Sequence, residues 1–413
     1  MRVTMMLRCL AMMRGGGETR HLAWMRELTA LGVDVDVITG RPLVLGSARH
    51  PVNGLDADLG VKTTMVRSPY LRDAVYRWQK TRGFGRLTMA ALHADEEWFC
   101  RAAWRRIAAR QVQPDIVHAH ALHQTARLRL GDAPVVINLP GAPPARYAGD
   151  LSRADALVAD GWAADHLPAM LGCPVARVPK GVDTTLFTPD GPSRRKALGI
   201  DAKRVIVSVG RLVPIKNTRL LLDAIRLVRA REPRAHLLHV GEGPDLEMLR
   251  RHASAEGIAD AVTFAGYVAQ HETPSFYRAG EVFALTSDFD NSPNVVLEAM
   301  ACGLPIVATD VGGVRGFLDP EGGELAPPRD AGAVASAVLR LLSTAGRAES
   351  ASRHNRRSAV ERFSWRTSAQ KLLDVYRGVV AARAGGDSTR IGAAGSRGAY
   401  PGAAGPGARG PRG

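Results

Sequence analysis

Cysteine is scarce. The 413 residues hold four, Cys9, Cys100, Cys173 and Cys302, and none forms a C-x-x-C pair. That excludes a disulfide framework and a zinc ribbon, and fits a reducing cytoplasm. Long apolar runs are also missing: no stretch approaches the ~20 residues that span a bilayer. The first residues, MRVTMMLRCLAMMRGGG, lack the layout of a signal peptide, because Arg8 splits the apolar run and Arg14 stands where a small-residue cleavage site belongs. They read as a first strand followed by a loop. No Gly-Lys-Ser/Thr occurs, so there is no Walker P-loop. Aromatics make up only 5% and form no repeated stripe with the basic residues, which argues against a nucleic-acid-binding module. Acidic residues are in deficit, 40 Asp plus Glu against 55 Lys plus Arg, a net charge of +15. Such a surplus suits phosphorylated substrates or an anionic membrane.

What is present is patterned. At the usual ~150 residues per domain the length suggests two or three domains. Short apolar runs at 1–7, 33–39, 115–121, 134–140 and 156–160 read as buried strands, with helical patterns between several of them, such as Glu18 to Leu31. A second series runs through 204–210, 235–241, 261–266, 281–287 and 305–310, with helical stretches such as Arg219 to Arg231. Strands alternating with helices predict α/β architecture, two doubly wound parallel-sheet domains. We assign 1–187 to the first and 188–363 to the second, followed by a helix over 364–383. Residues 384–413 carry ten glycines and three prolines, with Ile391 as the one aliphatic larger than Ala, and read as a disordered tail. In this architecture ligands bind beyond the carboxyl ends of the strands, here in the cleft between domains.

Several motifs fall at those strand ends. Gly15-Gly16-Gly17-Glu18 follows the first strand, and is either a tight strand-to-helix turn or a loop that lets a phosphate approach a helix N-terminus. His118 and His120 are two apart at a strand end and so share a face. No carboxylate or cysteine completes a metal set beside them, and they read as pocket-lining. Arg211 and Lys216 flank the turn after the strand at 204–210, where a fork of donors and a point charge suit a diphosphate. Asp34-Val35-Asp36 and Asp288-Phe289-Asp290 have the D-x-D spacing of metal-dependent sugar transferases. The first reads as the start of a strand, and neither is assigned a metal. In Asp290-Asn291-Ser292-Pro293-Asn294, Ser292 is a candidate helix cap and Pro293 suits the first turn. Glu298 follows about one turn into that helix. A helix end with two carboxylates beside it suits a phosphate that bears a polyol. Between Leu71 and Arg110, Arg72, Arg77, Lys80, Arg82, Arg86, Arg101, Arg105, Arg106 and Arg110 are interleaved with Trp78, Phe84, Trp98, Phe99 and Trp104, which offers either an anionic-membrane contact or core packing.

The order and spacing of GGGETRHL, DIVHAH, VPKGVDTTLF, SVGRLVPIKN, HVGEGPDLEMLR, VTFAGYV, SPNVVLEAMACGLPIVATDVGG and FSW make the chain resemble a family 4 retaining glycosyltransferase of the GT-B fold, from Met1 to about Ala382. The resemblance implies a hexosyltransferase that takes a UDP-, GDP- or ADP-sugar and needs no cofactor or metal. Its acceptor would be a glycan, a lipid-linked or a small molecule, and its place the cytoplasm, with peripheral membrane contact from the basic stretch. It implies that Arg211 and Lys216 hold the diphosphate, that Glu298 binds the ribose and that Asp290 touches the transferred sugar. Gly16, Gly17 and Asn294 would complete the donor site, and His118 and His120 an acceptor or sugar pocket. The last helix would cross back to the first domain. Three positions depart from the family pattern. Asp290 replaces the usual Glu, Pro140-Gly141 stands in place of His-Gly, and Lys180 replaces a common Asn at the hinge, where the exchange is tolerated. The first two motivate an alternative reading, a GT-B protein that binds a sugar nucleotide without turnover. Epimerisation of a sugar nucleotide is a further one.

Overall fold

The computed structural model describes residues 1–10, 16–42, 60–69 and 86–385. The tail from 386 onward and most of the basic stretch before Arg86 lie outside the described residues. Seven parallel strands form the first sheet, in the order β3-β2-β1-β4-β5-β6-β7. They are β1 (Arg2–Leu7), β2 (Asp34–Pro42), β3 (Lys62–Ser68), β4 (Ile116–His120), β5 (Val135–Leu139), β6 (Ala156–Ala159) and β7 (Ala176–Arg177). Six more form the second, β10-β9-β8-β11-β12-β13. These are β8 (Arg204–Val209), β9 (Ala235–Val240), β10 (Val262–Phe264), β11 (Val282–Leu285), β12 (Ile306–Thr309) and β13 (Gly323–Ala326). Every pairing within the two sheets is parallel. Central strands such as β5 and β9 are buried along their whole length, as sheets covered on both faces require.

The longer helices are α1 (Gly16–Ala30), α2 (Arg86–Ala108), α3 (Gly161–Leu171), α4 (Thr218–Arg229), α5 (Leu246–Ala255), α6 (Asn294–Ala301), α7 (Ala331–Ser343), α8 (Arg347–Arg362) and α9 (Trp365–Ala384). In α4, Leu220, Leu221, Ala224, Ile225 and Val228 are buried, and the Asn217 side chain caps its start by accepting from Leu220 N at 3.3 Å. Helix α9 packs against the first sheet's core. Leu372, Leu373 and Tyr376 join Trp24 and Met25 there, and Trp24 Nε1 donates to Ser368 Oγ at 2.8 Å.

Three strands had no counterpart in the apolar pattern. Strand β3 is an edge strand with half-exposed threonines, and β7 and β13 are two and four residues long. Helix α8 escaped for another reason: it is polar nearly all round, and buries only Ala351, Asn355, Ser358 and Ala359. The interleaved aromatics of α2 divide. Phe99 and Trp104 are fully buried in the core, which removes them from any membrane surface, whereas Trp98 is 54% exposed. Among the described residues, no helix is long and apolar enough to cross a membrane.

Candidate active site

Beyond β8 the chain turns through Gly210 and Arg211. Gly241 lies against it at φ +129°, where a Cβ would overlap the Gly210 carbonyl, so the two loops interlock only because Gly241 has no side chain. Arg211 is exposed, and its guanidinium has no ion-pair partner among the described residues. The loop is stitched to the one after β11: Asp288 N donates to Ile215 O at 2.9 Å, and Asn217 Nδ2 donates to Asp288 Oδ1 at 2.9 Å. Lys216 forms an ion pair with Asp290. Both D-x-D pairs are engaged by protein groups. Arg329 also reaches Asp288 (3.2 Å), while Asp34 pairs with Arg2 (2.7 Å) and Asp36 with Arg110 (2.8 Å).

Helix α6 starts at Asn294. Pro293 occupies the cap position, and no side chain caps the helix. This corrects the expectation that Ser292 is the cap. Without a side-chain acceptor, the first N–H groups stay free for an anion. One turn in, Glu298 accepts from the Tyr277 hydroxyl at 2.8 Å. Burial pushes the Glu298 carboxyl up to about 7, although the Tyr277 hydrogen bond and the Lys180 charge oppose the rise.

The first domain faces this set with the ends of β4 and β6 and the start of α1. His120 Nδ1 donates to Asn138 Oδ1 at 2.9 Å, and a Cβ on Gly17 would lie 2.5 Å from His120 Nε2, so the glycine makes room for the imidazole. Gly16 is the first residue of α1. His118 is fully buried and hydrogen-bonds to the Tyr376 hydroxyl (2.8 Å), with His21 Nε2 at 3.3 Å. The structure thus moves His118 from the cleft into the packing beneath α9, and leaves His120 nearer the opening. Burial first, then neighbouring charges, depresses His118 to about 3 and His120 to about 4.

Three residues to which the sequence reading assigns no part in the site stand here. Arg20 and Asp160 form an ion pair at 2.7 Å with 3% and 0% exposure. Burial raises the Asp160 carboxyl, but the Arg20 and Lys180 charges outweigh it and leave it below its ordinary value. Lys180 is not a bystander at the hinge: its Nζ crosses the cleft and donates to Ser292 O at 2.8 Å. Asp160 directly follows β6, so the strand-end rule was the signal available for it. Nothing in the local sequence pointed to Arg20.

Asn291 joins the domains. Its side-chain oxygen accepts from Ala163 N (2.9 Å), its carbonyl from Trp162 N (3.1 Å), and its Nδ2 donates to Pro140 O (2.8 Å). It therefore satisfies the N-terminus of α3 from the opposite domain. Gly161 allows the approach, with φ +54° and no Cβ to strike the Asn291 carbonyl.

The depressed imidazoles make a prediction for stability. An unfolded histidine takes up a proton near 6.5, whereas folded His118 and His120 resist until about 3 and 4. The unfolded state therefore binds more protons in that window, and stability is lost as pH falls through 6.5. At pH 5 the loss is roughly 2 kcal/mol per imidazole. In the second domain, His239, at about 4, acts in the same direction, while Glu298, at about 7, gains stability on acidification. His236, depressed by burial, adds to the loss in the second domain and His21, held well below its ordinary value by burial, adds to it in the first, so the Glu298 gain offsets only part of the total. Thermal unfolding at pH 5 should begin several degrees lower than at pH 7.5, and His120→Asn should flatten the dependence. A first transition that does not move with pH would refute the neutral-histidine reading.

Residues 203–344 match the family described as glycosyl transferases group 1. The chain is 32% identical over 293 residues to a GDP-mannose-dependent alpha-(1-6)-phosphatidylinositol monomannoside mannosyltransferase of Mycolicibacterium smegmatis, covering 66% of this chain and 72% of that one. It is 33% identical over 402 residues to a D-inositol 3-phosphate glycosyltransferase of Acidothermus cellulolyticus, covering 89% and 87%. Among solved structures, Anabaena HepE in complex with UDP superposes with a TM-score of 0.71 at 17% identity, covering 92% of this chain and all of that one. Sucrose-phosphate synthase from Thermosynechococcus elongatus does so with 0.69 at 20%, covering 92% and 99%. Two parallel-sheet domains of this kind define the GT-B fold. The chain belongs to the glycosyl transferases group 1 family.

Proposed function

We propose that this enzyme transfers a hexosyl unit from a nucleoside diphosphate sugar to a hydroxyl of an inositol-bearing or similar polyol acceptor, with retention at the anomeric carbon and without a metal. The observation that carries this reading is the convergence of Arg211, Lys216, the uncapped start of α6, Asp290 and Glu298 at the carboxyl ends of β8 and β11. Cleavage of the glycosyl phosphate bond loads negative charge onto the departing diphosphate. Two cations and free helix N–H groups, fixed in place beforehand, stabilise that charge. Lys216 pairs with Asp290, so donor binding would shift the lysine toward phosphate and free the carboxylate for a sugar hydroxyl. Among the described residues, Asp290 and Asp160 are held in ion pairs and Glu298 is held by the Tyr277 hydroxyl, so none of the three stands free as a nucleophile for a double displacement. Same-face attack therefore accounts for retention, with the leaving phosphate taking the acceptor's proton. Glu298, one turn into α6, would hold the ribose hydroxyls. The inositol acceptor rests on the names of the relatives above. Incubation with UDP-, GDP- and ADP-hexoses and with phosphatidylinositol or inositol phosphate tests the reading, with released nucleotide measured and the product's anomer assigned by NMR. Release from one donor class and an anomer matching the donor are expected. Release from none would favour the binding-protein alternative.

The basic surface of α2 supports peripheral contact with an anionic membrane. A cavity of about 580 Å³ is lined by Arg41, Arg67, Arg101, Arg105, Arg106 and the exposed Trp98. Arg101 pairs with Glu97, while the other four arginines make no ion pair among the described residues. Arginine beside an interfacial tryptophan suits anionic headgroups. Co-sedimentation with phosphatidylglycerol vesicles but not phosphatidylcholine vesicles at low salt is expected, and Arg105→Glu with Arg106→Glu should abolish it. Equal recovery with both vesicle types would count against the contact.

A further inference from the structure

The charged groups around the cleft do not cancel. Lys216 and Asp290 pair on the second domain, and Arg211, earlier in the same loop as Lys216, has no ion-pair partner among the described residues. On the first domain Arg20 pairs with Asp160, and Lys180 is left over. Four cations thus face three carboxylates, counting Glu298. Because burial holds that carboxyl near 7, the positive excess lies between one and two charges at neutral pH.

Lys180 is the part of this excess that comes from the opposite domain. It is half-buried. An ammonium has three N–H donors. One of the three goes to the Ser292 carbonyl, two residues ahead of the first residue of α6, and no second acceptor is recorded among the described residues. The groups facing it are Arg20 on α1, Asp160 after β6, Asp290 in the loop and Glu298 on α6. Burial and the Arg20 charge pull the Lys180 amine down to about 8, while the three carboxylates oppose them. Asp160 is already paired with Arg20 and Asp290 with Lys216, so a further anion at Lys180 would be stabilised. The neighbourhood carries other unmet polar atoms. Arg20 Nε and Nη1 and Asn294 Oδ1 are buried without partners.

We propose that Lys180 is a further donor-binding residue, a cation that the first domain presents across the closed cleft to the diphosphate of the nucleotide sugar. With one N–H held at the Ser292 carbonyl, the other two would add to the donors of the α6 N-terminus and to Arg211 and Lys216 of the second domain. The diphosphate would thereby be clasped from both domains, and the Lys180–Ser292 contact would hold the cleft shut over it. The proposal rests on the donor reading above, so its test must separate the two.

The test uses the full chain as Lys180→Gln, Lys180→Arg and Lys216→Ala. Glutamine keeps a donor for the Ser292 carbonyl but removes the charge. Calorimetric affinities for UDP and GDP are compared with those for uridine and guanosine, which lack phosphate. Lys180→Gln should weaken the preferred nucleoside diphosphate tenfold to a hundredfold and leave the nucleoside unchanged, and Lys180→Arg should restore most of the loss. If Lys180→Gln binds the diphosphate like wild type while Lys216→Ala does not, the proposal is overturned and the donor reading stands. If neither variant loses affinity, the donor reading itself fails. Parallel losses for nucleoside and diphosphate would mark Lys180 as a merely structural latch and also overturn the proposal.

Discussion

Arg211→Ala and Lys216→Ala should each lower kcat/KM by about a hundredfold to a thousandfold, the effect of losing one donor to a developing anion, ~2.7–4 kcal/mol. Folding should be little disturbed. Arg211 is exposed and has no ion-pair partner among the described residues, and Lys216 lies on a short turn whose Val213–Lys216 and Pro214–Asn217 hydrogen bonds use backbone alone. The variants differ in a second respect. Lys216→Ala leaves Asp290 without its cation, so the loss should extend to sugar recognition, whereas Arg211→Ala disturbs the phosphate alone. Arg211→Lys should recover only part of the rate, because a point charge does not reproduce a planar fork. Steady-state kinetics beside thermal melts decide the matter. Wild-type rates in either alanine variant would remove that residue from the diphosphate site.

The second large effect is expected at Asp290. Its loop is held by backbone contacts: Gly313 N donates to Asp290 O at 2.9 Å, and Gly312 sits at φ +54°, where a Cβ would overlap the same carbonyl. Substitution of the side chain therefore leaves the loop in place and tests the carboxylate itself. Asp290→Asn keeps the size but exchanges one acceptor oxygen for an NH2 donor, so a sugar hydroxyl that donates there meets a donor. A hydrogen bond to a charged group is worth roughly 1.5–3 kcal/mol. Catalytic efficiency should fall about tenfold to a hundredfold. Asp290→Glu keeps the charge and should retain more activity than Asn, despite the added methylene. If Asn matches wild type while Glu is inactive, Asp290 is a spacer before α6 and has no part in sugar contact.

The parallel-sheet architecture was legible because central strands such as β5 and β9, buried on both faces, leave unbroken apolar runs, and because amphipathic helices such as α4 separate them. The edge strand β3 and the short β13 leave no such trace, since half their side chains meet solvent or a glycine. In the second domain the proposed donor-site residues Arg211, Lys216, Asp290 and Glu298 could be picked out because they stand close in sequence to strand and helix ends. The first domain's contribution could not. Arg20, Asp160 and Lys180 are 140 and 20 residues apart along the chain and acquire meaning only when β6, α1 and the segment after β7 are folded together. Periodicity also misjudged His118. Two histidines on one strand face looked equivalent, yet α9 returns to cover the first with Tyr376 and leaves the second near the cleft.

The measurement that bears most directly on the account is the rate of hexosyl transfer in excess EDTA. The claim is that side-chain cations and a helix N-terminus carry the leaving diphosphate, a task that a bound divalent ion performs in other sugar transferases. Turnover with the preferred nucleotide sugar should persist undiminished after chelation, and Lys216→Ala should remain impaired when magnesium or manganese is added. Complete loss of transfer in EDTA, restored by either metal, would contradict the account and return one of the Asp-x-Asp pairs to the reacting centre.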